Sequence, residues 1–217
     1  MGKKINKQYW FSVEGNTEEW YLDHLQHLIN TCGESKYTVS INHKRCTSPK
    51  SYIKQVVPRT ASEVIHLCDI ESTCDEHMKN FSNVLQELQF AQKARGVKYS
   101  IGYTNYTFEL WIILHKKLLT THLSDRNDYL KHINAEYSKK FCNLSEYKEK
   151  RNFQTVLECI DLDSVKIAID NAERIEELND RNGVNRKDEY GVKYYVDNPS
   201  LSIHKAIDQI LKDCKLR

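Results

Sequence analysis

The sequence predicts an α/β fold, in which a four-stranded parallel sheet is flanked by helices and followed by a helical C-terminal region. Short β-prone runs alternate with helix-length segments in the N-terminal half, which is typical of parallel sheets covered by helices. Glycine and proline are scarce, with seven and three residues among 217, and this argues against a turn-dense all-β protein. We therefore expect an α/β domain over residues 1–120 and a helical region over residues 121–217 packed on it.

The first two strand–helix pairs follow one another closely. Tyr9–Val13 is a compact β-prone run, and Thr17 has the character of a helix N-cap with acidic residues in the first turn after it. Tyr37–Asn42 alternates polar and β-branched residues, which predicts a second strand. Ser48–Val57 is then predicted to be a helix that stops before Pro58.

The next two pairs have the same pattern. Glu63–Cys68 is an apolar run typical of a buried strand, and Asp75–Ala94 has apolar residues at helical spacing with Gly96 near its end. Val97–Tyr103 is predicted to be the fourth strand, and Thr107–Leu119 the helix after it. The order is therefore βαβαβαβα.

The C-terminal region has helical spacing without a strand of comparable strength. Asp163–Leu178 and Ser200–Leu211 are predicted helices, and Asn179–Tyr195 is interpreted as a long loop that is ordered only near its ends. Asn198-Pro199-Ser200 provides a stop and a cap before the last helix, which has one apolar side. That apolar side either docks a partner or closes the protein's own core, and the pattern leaves both interpretations open.

Composition narrows the class of protein. Hydrophobic residues make up 40% and charged residues 29%, and the net charge of +2 neither indicates nor excludes a nucleic-acid partner. No apolar run approaches the roughly 18–20 residues that span a bilayer, and the N-terminus lacks the apolar core of a signal peptide. We therefore expect a soluble, cytoplasmic protein with no membrane partner.

Two kinds of site are not expected. The seven cysteines are odd in number and form no CxxC pair, so we expect reduced thiols and no zinc site. The chain also lacks a phosphate-binding glycine loop, so it is not expected to bind ATP or a dinucleotide by itself.

Three carboxylates follow two of the predicted strands. Glu14 comes after the first strand, and Asp69 and Glu71 come after the third at a spacing that puts both on one side of an extended chain. Ligands bind beyond the carboxyl ends of parallel strands, and carboxylates there could hold one or two Mg²⁺ (or Mn²⁺) ions for phosphoryl chemistry. The alternative is that both motifs are ordinary turns with solvated acidic residues.

Further residues are candidates near the same edge. Glu109 would begin the helix after the fourth strand and could approach the carboxylates, although it is equally explained as a helix-start charge. His115 is a weaker candidate for nucleic-acid contact, with a core histidine as the alternative. Lys44 and Arg45 lie at the end of the second strand on the same rim, so they are the preferred phosphate-binding residues.

Four segments together resemble a known family. They are EGNTEEWY (residues 14–21), CDIE (68–71), TNYTFELWIILH (104–115) and DNPSLSIHKAI (197–207). The first two resemble the metal-binding motifs of TOPRIM domains, with Glu71 in the place of an Asp. The chain as a whole resembles the RloB family, also called AbiLii-like, of bacterial phage-defence TOPRIM proteins. The third motif departs from the family's usual SNPxFExWxLLH, because Thr104 replaces Ser and Tyr106 replaces Pro.

The resemblance implies a function. It implies a Mg²⁺-dependent nuclease effector that cleaves DNA or RNA, including tRNA, in anti-phage defence. Asp69 and Glu71 would hold Mg²⁺, and Glu14 would be the general acid/base or a ligand of a second metal ion. A partner ATPase of the AAA or ABC type, or a homo-oligomer, is also implied. The alternative is a non-catalytic TOPRIM-like subunit that docks to an ATPase or to nucleic acid, since the replacements at positions 71 and 106 are compatible with lost cleavage.

Overall fold

The computed structural model describes residues 4–55, 61 and 63–217, and a parallel sheet lies at its centre. Its strands are β1 (Ile5–Val13), β2 (Tyr37–Arg45), β3 (Glu63–Ile70) and β4 (Lys98–Asn105). All neighbours pair in parallel in the order β2-β1-β3-β4. The predicted α/β class is therefore confirmed.

The first two strands are longer than their apolar runs. β1 begins at Ile5 and β2 ends at Arg45, because the two strands pair along their full lengths from Ile5 opposite Tyr37 to Val13 opposite Arg45. Their outer parts are partly exposed and therefore carry polar residues, which gave no strand pattern in the sequence.

The strand order creates a crevice at one edge of the sheet. The chain leaves β1 for β2 on one side and leaves β3 for β4 on the other. In open α/β sheets, the carboxyl ends of the two strands at such a switch point form the usual binding crevice. Here those strands are β1 and β3, which end at Val13 and Ile70.

Helices cover both faces of the sheet. On one face α1 (Asn16–Thr31) contributes to the larger hydrophobic cluster, and on the other α2 (Pro49–Gln55) and α3 (Asp75–Arg95) contribute to the second. The predicted end of the second helix at Val57, and Pro58 after it, lie outside the described residues. α3 ends at Gly96, whose φ of 65° is the left-handed conformation that favours glycine at a helix end.

The helix after β4 is shorter than the sequence predicts. α4 covers only Glu109–Leu114, and every one of its residues is buried. Trp111 is fully buried, as its position on an apolar face predicts. After Leu114, the backbone N–H groups of Lys116 and Lys117 both donate hydrogen bonds to the carbonyl of Ile113, and these bonds close the last turn.

The C-terminal region packs against this first layer. Its helices are α5 (Arg126–Glu136), α6 (Leu144–Tyr147), α7 (Lys150–Leu157), α8 (Leu162–Arg181) and α9 (Ile203–Asp213). The larger hydrophobic cluster contains residues of β1 and α1 together with residues of α8 and α9. The predicted boundary at residue 120 stays a prediction, although the two regions share this core.

The apolar side of α9 faces inward. Ile203, Ile207, Ile210 and Leu211 are all buried in the larger cluster. Of the two interpretations of this helix, the structure supports closure of the protein's own core.

A β-hairpin replaces the expected loop, so that part of the prediction was wrong. β5 (Arg186–Glu189) pairs antiparallel with β6 (Val192–Tyr195) through the turn residues Tyr190 and Gly191. Both turn residues have positive φ, which matches the twist of a two-residue hairpin. Tyr194 anchors the hairpin in the second cluster, where its ring lies 4.9 Å from that of Phe81.

Among the described residues, we find no helix with the length and apolar character that crossing a membrane requires.

Candidate functional site

The site lies where β1 and β3 end, and Glu14 stands at its centre. Glu14 is the first residue after β1, and one of its carboxylate oxygens accepts a hydrogen bond from the backbone N–H of Asp69 at 3.2 Å. Burial is the main cause that raises the pKa of Glu14 to about 7, and the charges of Asp69 and Glu71 add to it. The Glu14 carboxyl group therefore exchanges its proton near neutral pH.

Asp69 occupies the penultimate position of β3 and is half-buried, rather than facing solvent. It is directly opposite Thr104 of β4, and the Thr104 hydroxyl donates a hydrogen bond to Asp69 Oδ1. Burial raises the pKa of Asp69 to about 6, and the charge of Glu109 adds to this, while Thr104 opposes it. Thr104, in the place where the family motif has Ser, thus keeps a hydroxyl beside the carboxylate.

Glu71 follows β3, and its carboxylate lies against His77 and Arg126. Its two oxygens lie 3.1 Å from His77 Nε2 and 3.5 Å from Arg126 Nη2, and half of its side chain is exposed. Arg126 begins α5 and is itself held by a 2.9 Å hydrogen bond from its Nε to the carbonyl of Tyr106. The C-terminal region therefore delivers a guanidinium group to the crevice.

Glu18 is a site residue that the sequence reasoning took only for a helix-start charge. It is 5% exposed, and its pKa is raised to about 8 by burial and by the charges of Asp69 and Glu109. The absence of a side chain at Gly15 leaves room for the Glu18 carboxylate, because a Cβ atom on residue 15 would lie only 2.7 Å from Glu18 Oε2.

Glu109 approaches the carboxylates, as its predicted position at the helix start suggests. Its side chain is fully buried, accepts a hydrogen bond from the Thr107 hydroxyl, and has Lys148 Nζ 3.1 Å from Oε1. Lys148 is partly exposed, so its ammonium group connects the buried Glu109 with the surface. No sequence signal pointed to Arg126, which reaches Glu71 from the C-terminal region.

We call this group of carboxylates the acidic edge; its members are Glu14, Glu18, Asp69, Glu71 and Glu109. Only two cations, Arg126 and Lys148, are coupled to it in the contacts described above. A pocket of about 190 Å³ opens at the edge and is lined by, among others, Glu14, Asp69 and Glu71. The three carboxylates predicted from the sequence thus share one pocket, and their role as metal ligands stays a prediction.

The tightest set of potential ligand atoms at this pocket is a different one. Within the described part of the chain, the group of three such atoms that lie within 4.8 Å of one another belongs to Glu14, His66 and Cys68. Asp69 and Glu71 are not in this group. His66 and Cys68 are buried side chains of β3, and burial raises the pKa of the Cys68 thiol and lowers the pKa of His66 to about 3.

Tyr106, which stands where the family motif has proline, adopts a backbone conformation that proline cannot adopt. Its φ is 66°, whereas a proline ring fixes φ near −65°. Its backbone N–H also donates a 2.7 Å hydrogen bond to the carbonyl of Ile70, which a proline could not do. The turn that connects β4 to α4 therefore has a conformation that a proline would not permit.

The structure contradicts one predicted nucleic-acid contact. His115 is buried, its Nε2 lies 3.1 Å from the Tyr21 hydroxyl, and its Nδ1 lies 2.9 Å from the carbonyl of Trp111. Both ring nitrogens are used inside the core, so the alternative of a core histidine is confirmed.

The predicted phosphate-binding pair lies on the expected rim. Lys44 and Arg45 are exposed at the end of β2, and Arg45 pairs with Val13, the residue before Glu14. Arg45 Nε also lies 3.3 Å from Glu19 Oε2, so part of its charge is already paired. Their contact with nucleic acid stays a prediction.

Two of the four motif segments meet in space. The backbone N–H of Asn105 donates to the carbonyl of Ser200 at 2.9 Å, and the Tyr103 hydroxyl lies 2.7 Å from Ser200 Oγ. The side-chain amide of Asn198 accepts a hydrogen bond from the backbone N–H of Leu123 and donates one to the Leu123 carbonyl. The C-terminal motif thus supports the strand that carries Thr104.

Comparison with known proteins shows similarity at the level of a family. A family model described as RloB-like protein matches residues 10–210, a span that contains the whole acidic edge. No curated protein and no solved structure matches the chain.

Proposed function

The chain belongs to the RloB-like family, and we propose that it is a Mg²⁺-dependent nuclease of TOPRIM type that cleaves phosphodiester bonds in anti-phage defence. The observation that carries the proposal is the acidic edge at the switch point of the sheet. Three of its carboxylates, Glu14, Asp69 and Glu71, line an open pocket. The pKa values of Glu14, Glu18 and Asp69 are raised by burial and by neighbouring carboxylates. Perturbed carboxylates in a cleft are candidates for catalysis.

The ligand chemistry fits a hard divalent cation. Mg²⁺ prefers carboxylate oxygens together with water, and Glu14, Asp69 and Glu71 each offer oxygens to the pocket. Glu71 is the most exposed of the three, so its side chain is free to leave His77 and Arg126 and turn inward. When bound, the cation supplies Lewis-acid stabilisation of the phosphoryl oxygens and lowers the pKa of a bound water.

The protein's own residues would divide the remaining tasks. A Glu14 carboxyl group with a pKa of about 7 can accept a proton from the attacking water or return one to the leaving oxygen. Arg126 and Lys148 carry positive charges at the border of the acidic edge, where a phosphate of the substrate would approach. Lys44 and Arg45 could hold the nucleic acid farther along the rim.

The non-catalytic alternative is favoured by a specific observation. Glu71, which replaces the usual Asp, is bound to His77 and Arg126, and its oxygens are outside the tightest group of ligand atoms. In that case the protein would serve as a subunit that docks to an ATPase or to nucleic acid. A docked ATPase would use a surface other than the apolar side of α9, which is buried in the core.

A cleavage assay tests the proposal. The purified protein is incubated with Mg²⁺ or Mn²⁺ and either supercoiled plasmid or total tRNA, alongside Glu14→Gln. The matched control is Glu34→Gln, because Glu34 is exposed in the connection from α1 to β2, at the opposite end of the sheet. We expect metal-dependent cleavage that falls by at least about 10²-fold in Glu14→Gln and is unchanged in Glu34→Gln.

Two results would count against cleavage at this site. Equal rates for the wild type and Glu14→Gln would contradict the role of Glu14. Absence of cleavage by the wild type with either metal and either substrate would favour the docking subunit.

A further inference from the structure

His66 and Cys68 lie beside Glu14 because of the pairing of two strands. The residues are two apart in β3, so their side chains point to the same face of the sheet. His66 is opposite Ser12 in the register of β1 and β3, so Cys68 is level with Glu14. One ring nitrogen of His66, the Cys68 sulfur and a Glu14 oxygen all lie within 4.8 Å of one another.

The ring of His66 is oriented with one nitrogen left unused. Its Nδ1 lies 2.7 Å from Ser12 Oγ, and the same hydroxyl lies 2.8 Å from the Tyr99 hydroxyl. Its Nε2 is buried and has no hydrogen-bond partner among the described residues. Leaving such a group unsatisfied is destabilising, and coordination to a metal ion would satisfy it.

The ligand types select a softer metal than Mg²⁺. Thiolate, imidazole and carboxylate are the ligands of Zn²⁺, whereas Mg²⁺ is held by oxygen atoms. Metal–ligand bonds of about 2.0–2.3 Å require the three atoms to approach one another by about 1 Å, which needs rotation of the Cys68 side chain as well as of the Glu14 side chain. The hydroxyls of Ser12 and Tyr99 would fix the histidine from behind, as outer partners of metal-bound histidines do.

We propose that Glu14, His66 and Cys68 form a Zn²⁺ site directly behind the acidic edge. Glu14 and Cys68 line the pocket, so a fourth coordination position is open toward it. Because Glu14 belongs to both sites, Zn²⁺ bound here would withdraw Glu14 from Mg²⁺ and from proton transfer. Zn²⁺ would therefore inhibit Mg²⁺-dependent activity. This inhibition rests on the proposed function, whereas Zn²⁺ binding itself does not require the protein to be a nuclease.

Titration with Co²⁺, a spectroscopic substitute for Zn²⁺, tests the site without any cleavage assay. We expect the wild type to bind Co²⁺ with the visible bands of tetrahedral coordination and a near-ultraviolet band from a cysteine thiolate, both displaced by Zn²⁺. Cys68→Ser should lose the thiolate band, and His66→Gln should weaken Co²⁺ binding by at least about tenfold. Cys74→Ser is the matched control, because Cys74 is exposed near His77 and is not part of the group.

The spectrum of the wild type can overturn the proposal by itself, so the test is decisive even if a substitution in β3 unfolds the protein. Absence of a thiolate band in folded wild type, or loss of that band in Cys74→Ser, would overturn the proposal. A thiolate band that persists in folded Cys68→Ser would also overturn it. Because the measurement is independent of nuclease activity, these results are distinct from failure of the proposed function.

Discussion

At the scale of single residues, the carboxylates of the acidic edge are costly to ionise, first because they are buried and then because they repel one another. Glu14, Glu18 and Asp69 all have raised pKa values, because burial penalises each charge and neighbouring carboxylates add to the penalty. Such a cluster lowers the stability of the folded chain when it ionises without a counter-ion. A divalent cation would remove this repulsion, so binding and stability are linked.

The pH dependence of Glu14→Gln follows from the raised pKa. The pKa of the Glu14 carboxyl group is 4.5 in the unfolded chain and about 7 in the folded protein, so between these pH values the folded protein binds more protons. As pH rises through this interval, ionisation of Glu14 therefore lowers the free energy of unfolding. Without added metal, Glu14→Gln should match the wild type in stability near pH 4.5. It should be more stable by about 2–3 kcal/mol near pH 8.

Denaturant unfolding of both proteins across this pH range provides the measurement. The comparison cancels the contributions of His66 and His115, whose pKa values of about 3 make stability rise with pH in both proteins. A stability difference that does not change between pH 4.5 and 8 would show that Glu14 is not perturbed.

Sequence reasoning found most of the acidic edge but not all of it. Glu14, Asp69 and Glu71 lie at or just after the ends of β1 and β3, and Glu109 begins α4, so the predicted ends of the elements were enough to place these four carboxylates near one another. Glu18 was assigned only to the helix start because nothing in a sequence shows that Gly15 lets its side chain fold back. Arg126 reaches the site from a distant helix, and such long-range placement leaves no local pattern.

At the scale of elements, the β5–β6 hairpin shows how packing overrides composition. The predicted loop over Asn179–Tyr195 is rich in charges and has two glycines, yet its second half folds as a hairpin in which Tyr194 and Tyr195 are both buried. Tyr194 lies in the second hydrophobic cluster with Phe81 and Tyr103. This aromatic contact, made with α3 and β4, could not be read from the hairpin sequence alone.

Tyr194→Ala should lower the free energy of unfolding by about 3 kcal/mol, because truncation of a buried aromatic ring leaves a cavity. Tyr190→Asn at the exposed tip is the matched control and should change stability by less than about 0.5 kcal/mol, since Asn tolerates the positive φ of that turn. Chemical denaturation of both variants measures the difference. Equal stabilities would mean that the hairpin does not pack on the sheet.

At the scale of the whole molecule, the C-terminal region completes the domain. Residues 200–202 run antiparallel beside β4, with Leu201 opposite Thr104, and α9 then fills the core. The alternation of strands and helices was sufficient to predict the sheet. Whether the apolar side of α9 faces inward could not be predicted, because an amphipathic pattern does not identify the surface that covers it.

Deletion of the chain from Asn198 onward should yield an aggregated protein without near-ultraviolet circular dichroism, because it exposes the core that α9 covers. A sharper comparison uses two positions of that helix. Ile207→Ala should cost about 2–4 kcal/mol, whereas Lys205→Ala, on the exposed side, should cost less than about 1 kcal/mol. A soluble, folded truncation would mean that α9 is not needed to close the core, and its apolar side would again be a candidate surface for a partner.

Electron paramagnetic resonance of Mn²⁺, a substitute for Mg²⁺, measures directly whether the acidic edge binds a divalent cation. At neutral pH the wild type and the Glu34→Gln control should bind Mn²⁺ with equal affinity. Asp69→Asn should weaken that binding by at least about tenfold, because one carboxylate charge is lost from the pocket. Wild-type protein that leaves all Mn²⁺ free, or Asp69→Asn that binds it as tightly as the wild type, would show that the acidic edge is not the cation site.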